Sequence, residues 1–305
     1  MPIADDAGPP GALDVALELA QSAGRLLLIG FEGPRSSIRT KSSATDMVSD
    51  MDTASEAHIV AGLHRSRPDD SILGEEGAAK SGPSGYTWVV DPLDGTTNYL
   101  YGHPAWAVSI ALQDDQGRSV VGVVHQPLTG ETFSAVRGRG AYLTRSPSVS
   151  GPGGGDNPES IPIGVAPGPL GVAPGPLGVA PGPGLAEALM ATGFSYDPAV
   201  RMLQGQALTK IVHQVRDIRR IGSAALDLCW VGAGRLDGFW EAGLAPWDKA
   251  AGSLIAQEAG AKLVELPAPG LPGDPPLIIT VAAAPGLEAE LVALLAAAYD
   301  CPEDP

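Results

Sequence analysis

The chain contains few cysteines and few basic residues. Cys229 and Cys301 are the only cysteines among 305 residues, which argues against a disulfide framework or a cysteine-based zinc site. Lys and Arg number 19 against 35 Asp and Glu, so the formal net charge is −16. Because so acidic a surface repels nucleic acid and anionic membranes, we expect neither as a direct partner.

Long hydrophobic runs are also missing. Residues 26–31 form a short apolar run broken by Gly30, whereas a membrane-spanning helix needs about 20 apolar residues. The first residues carry no basic flank before an apolar segment, so we expect no signal peptide. With 44% hydrophobic and 18% charged residues, the composition is typical of a globular protein, and we expect a cytoplasmic location.

The most informative segment is residues 87–98. Residues 87–90, Thr-Trp-Val-Val, predict a buried strand, and Asp91 and Asp94 follow it. Pro92 cannot donate to a strand ladder, so we expect the chain to leave the sheet there. Residues 95–98, Gly-Thr-Thr-Asn, are suited to opening a helix with free N–H groups. Carboxylates beside a helix N-terminus indicate metal-assisted chemistry on a phosphate ester.

A repeat interrupts the chain between about residues 146 and 184. The heptapeptide Gly-Val-Ala-Pro-Gly-Pro-Leu stands at 164–170 and 171–177 and recurs without its Leu at 178–183. Pro and Gly exclude a coiled coil despite the period of seven. We interpret the segment as a disordered surface loop; the alternative is a Pro-rich docking motif.

The rest of the pattern intersperses helices with strands and lacks a clean βαβ repeat, which favours layered α and β structure over a Rossmann fold. We expect an N-terminal half over 1–145, the repeat loop at 146–184 and a C-terminal half over 185–305. Helical spacing predicts helices at 11–31, 52–63, 185–192, 199–213, 224–234, 247–259 and 287–299.

Four further acidic residues are candidates for the same site, and each has a plain structural alternative. Glu75 lies in a Gly-Glu-Glu-Gly turn after an apolar pair, and Glu241 ends a predicted strand. Asp52 and Asp248 each stand at a helix start, where capping alone would explain them. A hard-metal site needs several converging oxygen ligands, so the set is more informative than any member.

Two long motifs resemble the inositol monophosphatase family. The first is residues 88–98, Trp-Val-Val-Asp-Pro-Leu-Asp-Gly-Thr-Thr-Asn, and the second is residues 247–252, Trp-Asp-Lys-Ala-Ala-Gly, continuing to Gly260. Segments 219–227 and 234–238 are similar to the family too. The resemblance runs from about residue 41 to 260, outside the repeat, and implies an αβαβα sandwich, the inositol monophosphatase-like fold.

By position, the resemblance implies a metal site for two or three Mg²⁺ ions that activate a water molecule. The implied metal ligands are the carboxylates of Glu75, Asp91, Asp94 and Asp248 and the carbonyl of Leu93. The implied catalytic residues are Glu75, Thr96 and Asp52: Thr96 with Glu75 would orient and deprotonate the water, and Asp52 would lie behind it.

The resemblance also implies a set of substrate contacts. These are Gly95, Thr96, Arg219, Gly222, Ser223, Ala224, Glu241 and Asp248. Lys41 matches a basic position at the entry loop of the family. A homodimer is the usual assembly in the family, so we expect one here.

The implied activity is hydrolysis of myo-inositol 1-phosphate to inositol and phosphate. Histidinol phosphate and other sugar phosphates are alternatives within the same family, although the sequence has no evident basic cluster for a second phosphate. Some bacterial relatives act instead as non-catalytic factors of the transcription or RNA-processing machinery. The intact ligand set favours the enzyme over that binding role.

Overall fold

The computed structural model describes residues 8–33, 38–40, 47–145, 175–273 and 275–299. Its helices are α1 (Ala12–Glu32), α2 (Asp50–Ser66), α3 (Thr96–Tyr101), α4 (Pro198–Ile211), α5 (Ala224–Gly232), α6 (Pro246–Glu258) and α7 (Glu288–Tyr299). Its strands are β1 (Ile38–Thr40), β2 (Met47–Ser49), β3 (Ser71–Gly74), β4 (Ala79–Lys80), β5 (Thr87–Asp94), β6 (Ala107–Gln113), β7 (Ser119–Gln126), β8 (Glu131–Val136), β9 (Ala141–Arg145), β10 (Gly175–Pro176), β11 (Leu189–Thr192), β12 (Asp217–Arg219), β13 (Gly238–Ala242), β14 (Lys262–Pro267) and β15 (Ile278–Ala283).

Two large sheets organise these strands. The first has eight strands in the order β10-β9-β8-β7-β6-β5-β3-β4, and the second has five in the order β12-β11-β13-β15-β14. Strands β1 and β2 form a separate antiparallel pair. Strands β5, β6 and β7 are buried along almost their whole length, because helices cover both faces of their sheet.

The helices and sheets stack as an αβαβα sandwich, which confirms the predicted fold class. Helices α1 and α2 pack on the outer face of the eight-stranded sheet, where an alanine- and leucine-rich stripe of α1 is buried. Helices α5 and α6 lie between the sheets and contribute to the apolar core on each side. Helices α4 and α7 cover the outer face of the five-stranded sheet.

The helix predicted at residues 185–192 was wrong. Residues 185–192 have the composition of a helix, but only Leu185–Glu187 form a short 3₁₀ turn. Leu189–Thr192 form the interior strand β11, which pairs in parallel with both β12 and β13. Helix propensity is weak over so few residues, and the pairing on both sides overrides it.

The end of the repeat segment belongs to the folded structure. Gly175 pairs with Leu143 and Pro176 with Tyr142, so β10 extends the edge of the eight-stranded sheet. Leu177 is buried in the core next to α6. Our interpretation of a disordered loop is therefore wrong for this part, while residues 146–174 lie outside the described residues.

In the parts of the chain that the structure describes, no helix is long and apolar enough to cross a membrane.

Gly122 lets α6 approach strand β7 closely. A Cβ built on Gly122 would lie 2.9 Å from the carbonyl oxygen and 3.1 Å from the Cα of Ala251 in α6. We predict that Gly122→Ala lowers the free energy of unfolding by about 1–3 kcal/mol, because the helix backbone must move. Denaturant titration measures the change.

The control for this substitution is Gly205→Ala within α4. A Cβ on Gly205 would meet no heavy atom of the described residues within 4 Å, and alanine favours the helix by about 1 kcal/mol over glycine. Equal stability of Gly122→Ala and the wild-type chain would contradict the proposed close packing.

His125 gives the fold a pH dependence. It is buried on β7 with Nδ1 2.9 Å from Oγ1 of Thr132, and burial lowers its pKa from 6.5 to about 4. The unfolded chain therefore binds this proton more readily than the folded chain, and stability is lost as pH falls from about 6.5 towards 4. The loss is about 3 kcal/mol.

We predict that His125→Gln removes this contribution, so that between pH 7 and 4 the variant loses about 3 kcal/mol less stability than the wild-type chain. Urea titrations of both chains at several pH values measure the difference. His64→Gln on the exposed side of α2 is the control. Parallel pH profiles of His125→Gln and wild type would contradict the prediction.

Candidate active site

The aspartate pair of the first motif lies at the buried end of β5. The chain does not leave the sheet at Pro92 as predicted. Asp91 pairs with Ser109 and Asp94 with Ala107, and the register shifts between them. The bulge leaves Pro92 out of the ladder, so its missing N–H costs no pairing. Both aspartates and Leu93 between them are buried.

Gly95 turns the chain from β5 into α3. Its φ of 91° lies in the left-handed region, which glycine adopts without steric cost. A Cβ there would also lie 2.8 Å from the carbonyl oxygen of Ala105. Helix α3 has six residues, and the Asn98 amide donates to the carbonyls of Ala105 and Ile221. Asn98 therefore fastens this turn to the second half of the chain.

Asp91 is at the centre of the acidic cluster. Its Oδ1 accepts a hydrogen bond from the N–H of Leu93 at 3.0 Å. Burial raises its pKa well above the usual range, and the negative charges of Glu75, Asp94 and Asp248 raise it further. The structure thus brings the four predicted carboxylate ligands into one electrostatic environment.

Asp94 is held by residues from the other half of the chain. Its Oδ2 accepts hydrogen bonds from the Ser223 hydroxyl at 2.6 Å and the Ala225 N–H at 2.8 Å. Burial raises its pKa to about 6, although these donors and the Ala224 N–H act in the opposite direction. Ser223 also caps α5, so the helix start and the carboxylate position each other.

Asp52 and Thr96 form a hydrogen-bond chain behind this pair. The Thr96 hydroxyl lies 2.7 Å from Oδ1 of Asp52 and 3.1 Å from the carbonyl oxygen of Leu93. Oδ2 of Asp52 accepts from the N–H and hydroxyl of Ser49. Burial raises the pKa of Asp52 despite these hydrogen bonds. Asp52 therefore serves both as the capping partner of α2 and as the acceptor for Thr96.

Asp248 approaches the cluster from α6 in the middle helix layer, and Glu241 approaches it from β13 of the five-stranded sheet. Oδ2 of Asp248 accepts from the N–H of Ala245 at 2.7 Å, which is its helix-capping role. Burial and then the charge of Asp94 raise its pKa well above the usual range. Burial raises the pKa of Glu241 to about 7, while the charge of Arg220 lowers it.

The two neighbouring arginines have different surroundings. Nη1 of Arg219 lies 2.5 Å from Oδ2 of Asp217, and its side chain lines a surface cleft with Trp230 and Arg235. Arg220, which is not among the predicted substrate contacts, acts on Glu241 through its charge. A Cβ on Gly222, at a φ of 97°, would lie 2.8 Å from Nη1 of Arg220.

The difference between the arginines follows from strand geometry. Successive side chains of an extended chain point to opposite sides, and Arg219 is the last residue of β12. That alternation is the one signal in the sequence that separates them. Lys41 lies outside the described residues.

The donor chemistry of the cluster suits a hard divalent cation. Within the described ranges, no three His, Cys, Asp or Glu side chains surround a common point closely enough to hold a metal ion as they stand. The pKa values of Asp91, Asp94 and Asp248 are all raised in part by neighbouring carboxylates, which places these groups within electrostatic reach of one another. All the donors are oxygens, as Mg²⁺ prefers, and a cation would relieve their repulsion. A layered α/β fold with such a site is characteristic of metal-assisted phosphatases.

Comparison with known proteins agrees with this class. A model of the inositol monophosphatase family matches residues 12–300. The inositol-1-monophosphatase SuhB of Mycobacterium tuberculosis is 43% identical over 266 residues, which cover 85% of this chain and 81% of that protein. The chain belongs to the inositol monophosphatase family.

Two further similarities extend the comparison. The Nus factor SuhB of Pasteurella multocida is 38% identical over 250 residues, covering 81% of this chain and 82% of that protein. The crystal structure of the extragenic suppressor protein suhB from Bartonella henselae superposes with a TM-score of 0.74 at 32% identity, covering 92% of this chain and 97% of that one. Relatives of comparable similarity therefore carry both an enzyme name and a factor name.

We predict that Ser223→Ala weakens Mg²⁺ binding by about 10- to 100-fold, the usual effect of removing a residue that supports a metal ligand. The substitution removes one of the donors that fix Asp94. Isothermal titration calorimetry without substrate measures the effect. Thr209→Ala, which removes a hydroxyl bonded only to its own helix in α4, is the control and should leave binding unchanged. An unaltered affinity in Ser223→Ala would refute the supporting role.

Proposed function

We propose that the chain is a Mg²⁺-dependent phosphomonoesterase that hydrolyses myo-inositol 1-phosphate to inositol and phosphate. The observation that carries the proposal is the burial of Asp91 among three other carboxylates, whose charges all raise its pKa. Such a cluster is unfavourable unless cations compensate it. Membership of the inositol monophosphatase family supports the same reaction class.

The residues that would hold two or three Mg²⁺ ions are the carboxylates of Glu75, Asp91, Asp94 and Asp248 and the carbonyl of Leu93. When bound, the ions lower the pKa of water and stabilise negative charge on the departing oxygen. Cations also let a chain of charge −16 accept an anionic ester, which its own field would repel.

The protein's own proton acceptors lie next to that set. The Thr96 hydroxyl donates to Oδ1 of Asp52, so the Thr96 oxygen can take a proton from water as its own hydroxyl proton passes to the Asp52 carboxylate. We assign Thr96, with Glu75, the role of orienting and deprotonating the attacking water, and Asp52 the role of holding the Thr96 proton. This arrangement is general-base catalysis through a buried carboxylate.

The remaining residues bind the ester. The N–H groups of Gly95 and Thr96 would hold the phosphate, and the turn at Gly222 and Glu241 would contact the polyol. A carboxylate suits ring hydroxyls because it accepts their hydrogen bonds. Of the two arginines, Arg220 is the better candidate for the substrate side, since its charge acts on Glu241, whereas Arg219 is paired with Asp217.

The test of this function is phosphate release with Mg²⁺ from inositol 1-phosphate, histidinol phosphate and fructose 1,6-bisphosphate. We predict the highest kcat/KM for inositol 1-phosphate. Asp94→Asn should lower it by about 100-fold or more, because a metal ligand is lost. The matched control is Asp217→Asn, an exposed aspartate on the edge strand β12, which should keep wild-type activity.

Two other outcomes would reject different parts of the proposal, the substrate assignment or the metal ligands. Faster release from histidinol phosphate would retain the metal site and reject our assignment of Glu241 to a polyol ring. Equal activity of Asp94→Asn and wild type would reject the ligand set itself.

A binding role in transcription is the second candidate, because relatives such as that of Pasteurella multocida are named Nus factors. Asp91→Asn separates the two proposals. Association with transcription components that persists in Asp91→Asn, in a chain without phosphatase activity, would favour the binding role. We also propose a homodimer, as in most family members, which light scattering after size-exclusion chromatography would test.

A further inference from the structure

Glu56 is a buried carboxylate that is not among the proposed metal ligands, catalytic residues or substrate contacts. It lies on α2 and is 6% exposed. Its Oε2 accepts a hydrogen bond from the N–H of Glu76 at 2.9 Å, and its Oε1 accepts one from the N–H of Ala78 at 3.0 Å. Both oxygens of one side chain are therefore used on the backbone of a single short turn.

That turn carries Glu75. The N–H of Gly74 donates to the carbonyl of Ala78 at 2.7 Å, and the N–H of Glu75 donates to the carbonyl of Val90 at 3.2 Å. The second bond fixes Glu75 beside the residue that precedes Asp91. The Glu56 carboxylate closes the turn from the side of α2, and the backbone that bears Glu75 is held on both flanks.

Gly74 provides the space for this contact. A Cβ built on Gly74 would lie 2.1 Å from Oε2 of Glu56, which is far inside van der Waals contact. Its backbone does not require glycine, because its φ is not in the left-handed region. The missing side chain at the end of β3 is thus explained by the carboxylate that occupies its place.

The same face of α2 also contacts the segment from Asp91 to Thr96, which contains two of the predicted metal ligands with carboxylate side chains. Ser55 donates to the carbonyl of Pro92 at 2.9 Å, and Asp52 accepts from Thr96 at 2.7 Å. Positions 52, 55 and 56 are neighbours on one helix face, and all three side chains are buried. One rigid helix therefore sets the position of the Glu75 turn relative to the segment from Asp91 to Thr96.

We infer that Glu56 is a positioning residue for the metal site, which aligns Glu75 with Asp91 and Asp94 by holding the turn at residues 74–78. The inference rests on the proposed function, in which Glu75 is a metal ligand. A carboxylate is required because two N–H donors converge on it. Glutamine has one acceptor oxygen and would set its own amide donors against an N–H group.

The test compares Glu56→Gln with wild type by calorimetric Mg²⁺ titration and by hydrogen exchange of the metal-free protein. We expect Mg²⁺ binding to weaken by about 10- to 100-fold and the Glu76 and Ala78 amides to exchange faster. We also expect kcat to recover at saturating Mg²⁺, because the ligands themselves are intact.

Asp70→Asn is the matched control. Asp70 is a carboxylate that is 2% exposed, and it binds Arg67 and the indole N–H of Trp88 at the other end of β3. Its substitution should cost stability and leave the Mg²⁺ affinity unchanged. An equal loss of affinity in both variants would show a general loss of stability and overturn the inference.

Gly74→Ala provides a second variant if Glu56→Gln does not fold. It keeps Glu56 but displaces its carboxylate, and the same loss of Mg²⁺ affinity is expected. Wild-type affinity in either folded variant would overturn the positioning role alone. Absence of Mg²⁺ binding by the wild-type chain would overturn the proposed function together with this inference.

Discussion

The burial of like charges at one point is the constraint on which this structure depends. Asp91, Asp94 and Asp248 repel one another in a region from which water is largely removed. Repulsion of that kind would splay flexible loops apart. The surrounding elements therefore have to be rigid before any cation arrives. The sheet ends and helix starts around the cluster provide that rigidity.

Hydrogen bonds from distant parts of the chain hold the residues of the acidic cluster in place. Ser223 and Ala225 hold Asp94 from the second half, Asn98 ties α3 to the carbonyl of Ile221, and α2 approaches from the outer layer. The middle helices contribute apolar packing to both sheets. Because the cluster is completed by both halves, the site and the tertiary fold form together.

The sequence predicted structure correctly where a long motif lies within one continuous segment of the chain. Residue patterns and the family resemblance predicted the strand before Asp91, the helices α1, α2 and α6, and the layered fold. They did not predict strand β11, because pairing on both sides decided it. Glu56 was missed for a similar reason: its partners are 20 and 22 residues further along the chain, and no periodicity encodes such a contact. Arg220 was missed because it is the immediate neighbour of Arg219, and only the alternation of side chains in an extended segment distinguishes the two in the sequence.

Gly193, directly after β11, has a consequence for how the site can change in evolution. A Cβ at this position would lie 1.9 Å from Oε2 of Glu241, so glycine makes room for that carboxylate. Any larger residue at position 193 would displace the Glu241 carboxylate, which is not among the predicted metal ligands. A single substitution at position 193 would therefore act on the residue proposed to contact the alcohol and not on the residues proposed to hold the metal ions. Under the proposed function, a substitution at position 193 would change which leaving group the site accepts and would leave all the predicted metal ligands in the sequence.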